Sequence, residues 1–322
     1  MSRNNPILYI VIPCYNEEQV LPHTNPMFVG KIEELVKSQE IHPHSKIMYV
    51  NDGSKDRTWE LIQEYASSNP YVVGISQSRN RGHQSSVLAG MYEAAEFADI
   101  VITIDADGQD DIHCMNQMIA EYKTGSEIVY GVRDNRDTDS AFKRITAEGF
   151  YKVMQLFGAD VVFNHADYRL VSKRFIHELA KFKEVNLFLR GIMPLVGFKY
   201  SYVTYKRHER IAGESHYPLA KMLGLAIDGI TSLSIKPIRL ITSLGVMTSL
   251  FSFLLIIWVL WSKFAGNVVA GWASTYAIVS LLGGVQLISL GVIGEYIGKI
   301  YLETKQRPRY IISDRTYDES DE

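Results

Sequence analysis

The chain has 322 residues, 36 acidic against 33 basic, for a formal net charge of −3, which leaves no global electrostatic argument for a nucleic-acid partner. That length admits one large domain plus an appendage. Two cysteines, Cys14 and Cys114, build no disulfide framework and fit a reducing compartment, and the nine histidines lack zinc-site spacing.

The first apolar run, Ile7 to Ile12, is short and ends in Pro13, so no signal peptide is read there and the first domain is expected in the cytoplasm. From it onward short apolar segments alternate with amphipathic ones. Strands are expected over Ile7–Pro13, Lys46–Asn51, Tyr71–Gln77, Ile100–Asp105 and Glu127–Val132. Helices are expected over Glu17–Ser38, Asp56–Ser68, Gly82–Ala98 and Asp111–Thr124. Regular βαβ alternation predicts an α/β fold with a doubly wound, mostly parallel sheet.

Polar residues gather where these strands end. The first runs into Pro13-Cys14-Tyr15-Asn16-Glu17-Glu18, the second into Asn51-Asp52-Gly53-Ser54, the third into Ser78-Arg79-Asn80-Arg81-Gly82-His83. The fourth ends in Asp105-Ala106-Asp107-Gly108-Gln109. Residues i and i+2 of an extended segment point to one side, so Asp105 and Asp107 are expected together at the carboxyl end of a strand, where open α/β sheets bind ligands. Such a pair suits Mg²⁺ beside a phosphate-bearing substrate, because that ion keeps waters and takes few protein carboxylates. Each piece alone also reads as a turn or a helix cap, Asp56 among them. Four such ends in succession argue for a site. No G-x-G-x-x-G follows the first strand and no G-x-x-x-x-G-K-[ST] occurs, which removes the main support for a dinucleotide fold or a P-loop.

Taken in order, Val11 to Glu18, Val50 to Ser54, Asp105 to Asp110, Gly131-Val132-Arg133, Asp167-Tyr168-Arg169-Leu170, Arg190-Gly191 and Arg210 to Ser215 resemble the family-2, GT-A-fold glycosyltransferases. The resemblance is to the polyprenyl-phosphate glycosyltransferases among them, dolichyl-phosphate mannose synthases and bactoprenol glucosyltransferases, and it spans nearly the whole chain. It implies that Pro13, Tyr15, Glu17, Val50 and Asp52 hold the nucleoside. It further implies that Asp105, Asp107 and Gln109 meet the nucleotide or a Mg²⁺ or Mn²⁺ ion, and that Arg133 and Arg210, with Arg144 a further candidate, meet phosphates. Arg79, Ala106 and Ser215 stand in the same motifs and count with the substrate-binding residues. Asp167 is expected near the sugar, as base or hydroxyl ligand, or else in a salt bridge to Arg169 or a neighbour. The chain departs from the pattern at Arg81 and His83, where relatives carry an aromatic and a lysine, and at His216, where lysine is common.

Beyond Arg133, the cations Arg136, Lys143 and Arg144 fall by an amphipathic stretch from Asp139 to Phe157; a solvated helical face accounts for them, and so does a lipid phosphate that needs arginine forks. Leu219, Met222, Leu223, Ala226, Ile227, Ile230 and Leu233 then form one helical apolar stripe, expected at the membrane interface. No charge interrupts Leu240 to Ser262, and none follows Lys263 until Glu295, so two spans are expected, each able to cross ~30 Å of hydrocarbon. The expected organisation is a catalytic domain over 1–217, a juxtamembrane helix over 218–238 and two spans within 239–296, at 240–262 and 272–294. A tail over 297–322 follows, loosely ordered beyond Arg309. Lys236 and Arg239 before the first span, with Lys299, Lys305, Arg307 and Arg309 after the second, place both termini in the cytoplasm of a multi-pass inner or plasma membrane protein.

The expected activity joins both halves: inverting transfer of a hexose, glucose favoured, from a UDP-sugar or other nucleotide sugar to undecaprenyl or another polyprenyl phosphate. Its product implies a flippase and a downstream glycosyltransferase as further partners in cell-envelope glycosylation, and a homo-oligomer is compatible with the chain. Two other readings stand beside it. A processive polysaccharide synthase is disfavoured, since no Gln-x-x-Arg-Trp occurs and two spans make a poor polymer channel. A silent nucleotide-sugar-binding membrane module is disfavoured by the intact Asp105, Asp107, Gln109 and Arg210.

Overall fold

The computed structural model describes residues 3–133, 165–186, 188–207, 229–232, 234–264 and 271–317. In chain order the first elements are β1 (Leu8–Cys14), α1 (Leu21–Lys37), β2 (Lys46–Asn51), α2 (Thr58–Ser68), β3 (Val72–Gln77), α3 (His83–Phe97), β4 (Ile100–Thr103), α4 (Cys114–Lys123) and β5 (Ile128–Arg133). There follow β6 (His165–Ser172), α5 (Lys173–Leu179), α6 (Leu189–Leu195), β7 (Tyr200–Tyr205), α7 (Lys236–Phe264), α8 (Trp272–Lys305) and β8 (Ile312–Arg315). All five expected strands and four expected helices of the first half form, with ends trimmed by local chemistry. Pro22 suits the first turn of α1 and starts that helix later than Glu17. The Asp56 carboxylate accepts from the Thr58 N–H at 3.1 Å, so α2 begins behind it, and Asp111 does the same for His113 ahead of α4, at 2.9 Å.

Among the described residues one eight-stranded sheet runs in the order β7-β5-β6-β4-β1-β2-β3-β8. The pairs β1–β2, β1–β4, β2–β3 and β5–β7 are parallel; β6 runs antiparallel to both β4 and β5, and β8 antiparallel to β3. Central strand β1 is buried at every position, as a strand covered on both faces must be. Its period-two alternation divides the core. Leu8, Ile10 and Ile12 pack with Phe28 and Ile32 of α1 and Met118 of α4, while Tyr9 and Val11 pack with Leu88 and Met91 of α3 and Phe175 of α5. At about 1.5–3 kcal/mol per buried aliphatic side chain, these two layers hold the sheet and its helices together. Cys14 and Cys114 are free and buried; burial raises both thiols, Cys114 to about 11, in keeping with small core residues rather than nucleophiles.

The two long helices α7 and α8 are apolar enough to cross a membrane, with 0% of either best window buried in the protein. Leu250, Phe253, Leu281 and Leu287 stand open on them, as side chains against lipid do. The juxtamembrane stretch is helical at 229–232; its first eleven residues, 218–228, lie outside the described residues, as does the stretch from Asp139 to Phe157.

The tail corrects the sequence reading. Rather than lying loose beyond Arg309, it returns to the sheet as β8, pairing Ile75 with Arg315 and Ser76 with Asp314. The Thr316 hydroxyl accepts from the Gly74 N–H at 2.8 Å, and Arg315 and Tyr317 both bond Glu93 of α3. The pairing covers an edge strand that would otherwise present an open row of backbone groups.

Candidate active site

The loops leaving β1, β2, β3 and β4 meet at one edge of the sheet and enclose a cleft of about 1060 Å³. They are interlocked by their own polar residues. The Asn16 N–H donates to the Ser54 hydroxyl at 3.0 Å, Lys55 N–H to the Asn16 side chain at 2.9 Å and Glu17 N–H to Thr58 at 2.8 Å. Asp52, buried, accepts from the N–H groups of Arg81 at 2.7 Å and Gly82 at 2.9 Å, tying the second loop to the third. Gly53 sits between them at φ +62°. A Cβ there would lie 2.5 Å from the Arg79 carbonyl carbon, so glycine is required both by conformation and by the neighbouring backbone.

Pro13, Tyr15, Glu17, Asp52, Asp105, Ala106, Asp107 and Asp167 all line this cleft. Tyr15 is an exposed ring at its rim. Asp105 takes the His83 imidazole at 3.0 Å. Desolvation works against the charged form of each, but their contact outweighs it, raising the imidazole and lowering the carboxyl. Asp107 accepts from the Gln109 N–H at 3.1 Å, which turns the chain sharply after the pair. Asp167, on β6, is bridged by the fully buried Arg169 and by Arg190 at 2.9 Å. Burial alone would raise its carboxyl; the two guanidinium groups overcome that and hold it well below the usual carboxylate range. Of the roles expected for Asp167, the salt bridge is present, and a carboxylate so stabilised is a poor proton acceptor.

Four expected residues lie elsewhere. Val50 is wholly buried on β2 and packs in the core against α3, because a strand position facing a helix cannot also face the cleft. Arg79 is exposed beside the cleft, its backbone against Gly53. The Gln109 side-chain oxygen accepts from Arg207, which turns it from the cleft wall. Arg133, at the end of β5, reaches Asp110 at 3.5 Å and the Tyr205 hydroxyl at 3.3 Å, while Tyr205 donates to Asp110 at 2.5 Å. Arg144, Arg210 and Ser215 lie outside the described residues. The structure adds His83, Gln84, Phe188 and Arg190 to the wall. Arg190-Gly191 was visible as a motif and His83 as a departure, but nothing local in the sequence shows that a chain segment a hundred residues downstream closes the cleft.

Among the described residues no three His, Cys, Asp or Glu side chains cluster as a metal cage. Two carboxylates in one cleft, Asp105 and Asp107, instead fit a hard ion that completes its shell with substrate oxygens and water. A protein-caged zinc would need more ligands.

The glycosyl transferase family 2 signature matches residues 9–180, and the GtrB C-terminal hairpin signature matches 236–300. The chain is 47% identical to the uncharacterized glycosyltransferase YkoT of Bacillus subtilis, over 99% of this chain and 95% of that protein. It is 40% identical to the bactoprenol glucosyl transferase of Shigella phage SfX, over 95% of this chain and 98% of that one. Among solved structures it is similar to a mannosyltransferase of Pyrobaculum calidifontis, with a TM-score of 0.45 and 14% identity over 92% of this chain and 85% of that one. With a mostly parallel GT-A-like sheet, a cleft at its carboxyl edge and a pair of long apolar helices, the chain belongs to the family 2 glycosyltransferases that carry a GtrB-type hairpin.

Proposed function

We propose that this enzyme transfers a hexose, glucose favoured, from a UDP-sugar to undecaprenyl or a similar polyprenyl phosphate at the cytoplasmic membrane face. The observation that carries the reading is the union, on one chain, of an acidic strand-edge cleft with a lipid-facing hairpin. Relatives sharing both halves over nearly their whole length are named bactoprenol glucosyl transferases, which supports the acceptor and the sugar. The cations around α7 and α8, Lys236, Arg239, Lys299, Lys305, Arg307 and Arg309, support cytoplasmic termini. The return of β8 to the sheet supports the same side for the catalytic half.

In this mechanism a phosphate oxygen of the lipid attacks the anomeric carbon opposite the UDP. A new C–O bond forms as the old one breaks, UDP leaves with the electron pair, and the configuration inverts. A phosphate monoester has its second pKa at about 6, so the nucleophile is largely dianionic near neutrality and needs no strong base. Asp167 accordingly serves by holding Arg190 in the cleft wall. Tyr15 and Glu17 flank the donor nucleoside. Asp105 and Asp107 would hold Mg²⁺ or Mn²⁺, which when bound supplies Lewis-acid neutralisation of the departing diphosphate. Arg133, on turning from Asp110 and Tyr205, and Arg210, with Arg144 and Ser215, would receive phosphate oxygens and set the acceptor within attack range.

The test is a panel of radiolabelled UDP- and GDP-sugars offered to purified protein with undecaprenyl phosphate and Mn²⁺. Label entering the lipid phase from one preferred donor is the expected result. Nucleotide release without lipid label would overturn the acceptor assignment.

A further inference from the structure

The inner end of membrane helix α8 does not hang free beneath the bilayer. Along it the half-buried positions Val292, Tyr296, Lys299 and Glu303 recur at helical spacing among exposed neighbours, so one stripe faces protein. Tyr296 donates its hydroxyl to the Ser234 carbonyl at 2.5 Å, and Lys299 reaches the Ser232 hydroxyl at 3.0 Å. Glu303, the last of the stripe, accepts from the N–H groups of Val185 at 2.9 Å and Asn186 at 2.8 Å. The Asn186 side-chain amide adds a third bond to Glu303 at 2.8 Å and one to the Lys299 carbonyl at 3.3 Å. A carboxylate that takes two adjacent backbone donors and an amide makes charge-assisted bonds, stronger than those between neutral groups.

That loop leads directly into the cleft. Two residues beyond Asn186 comes Phe188, in the cleft wall; Leu189 donates its N–H to the Gln84 side chain at 2.9 Å; and Arg190 bonds Asp167. Val185 and Asn186 are thus held by a membrane helix, and residues 188–190 by the cleft wall.

We propose that Glu303 is a positioning residue of the transferase, fastening the 185–186 turn to the membrane hairpin and thereby setting Phe188 and Arg190 in the cleft wall. The proposal rests on that cleft being the transfer site. Its effect runs through Arg190, so removing Glu303 loosens the reacting geometry more than it weakens the nucleotide end of the site.

The experiment combines steady-state kinetics with hydrogen exchange on the full-length protein in detergent. Glu303→Ala is expected to lower kcat about tenfold, well within what small misplacements cost, with the donor KM within twofold. Glu303→Gln, which keeps one acceptor oxygen, should recover part of that loss. The double variant Glu303→Ala/Arg190→Ala should fall no further than Arg190→Ala alone. Exchange should rise over 183–190 while the strand at 312–315 keeps its protection. Additive losses, unchanged kcat and exchange, or exchange rising equally across β8 would each overturn the proposal. The exchange arm needs no substrate, so it reads the fastening even if the wild type labels no lipid, which would instead count against the acceptor assignment.

Discussion

Replacing Asp167 by alanine removes the carboxylate partner of a guanidinium with no exposed side-chain surface. Among the described residues Arg169 would keep as hydrogen-bond partners the Met193 sulfur at 2.8 Å and the carbonyl of residue 167. A buried charge that loses its partner costs about 3–5 kcal/mol. Arg190 adds little to that cost, since its side chain is 34% exposed and water can replace the carboxylate. At roughly 2–4 °C per kcal/mol for a domain of this size, the melting temperature should fall by about 6–20 °C. Arg169→Met removes the buried cation instead and leaves Asp167 with Arg190, so its loss should be clearly smaller. The assay is thermal unfolding of the full-length protein in detergent, with all variants scanned at one rate so that their midpoints are comparable. A fall of less than about 2 °C for Asp167→Ala, or a larger fall for Arg169→Met, would refute the view that Asp167 serves first to neutralise Arg169.

The same carboxylate sets a pH dependence. Its folded pKa is depressed below the unfolded value of about 3.9, so its stabilisation is present above that pH and is lost as pH falls through the folded value. The melting difference between wild type and Asp167→Ala should stay constant from pH 8 to 5 and shrink below about 4; a difference that shrinks on the alkaline side would contradict the assignment. Gly53→Ala meets the Arg79 backbone at 2.5 Å; it should raise the donor KM about tenfold in initial-rate assays, by displacing the loop that carries Asp52. Ending the chain at Arg309 removes β8 and its bonds to Gly74, Ser76 and Glu93. Light scattering should then detect aggregation of the purified protein through the uncovered β3 edge, and a monodisperse, equally stable product would argue that β8 is dispensable.

Much of the catalytic half was legible because its signals are local. Period-two apolar runs mark β1 to β5, and the carboxyl ends of four of them carry the residues that line the cleft. Asp105 and Asp107 both line it, but from the turn beyond β4, which ends at Thr103, rather than from the extended strand the spacing suggested. What escaped depends on contacts distant in sequence. β6 inserts antiparallel between β4 and β5, so nothing in its own composition tells its direction. The tail carries charges that read as solvated, yet Ile312, Thr316 and Tyr317 find partners more than two hundred residues away. Phe188 and Arg190 reach the cleft at the start of α6, which the Leu189 N–H ties to Gln84 of α3. Gln109 and Arg133 carried the right chemistry in the right motifs, but Arg207 and Tyr205, arriving from β7 and its end, occupy their side chains.

The most direct test compares wild type with Asp107→Asn in one acceptor-dependent assay, following radiolabel from UDP-glucose into the organic phase with undecaprenyl phosphate present or omitted. The account predicts label only with the lipid and wild type, and a loss of at least about a hundredfold in the variant, which should remain folded and membrane-bound. Equal transfer by Asp107→Asn, or label that enters without added lipid phosphate, would contradict it.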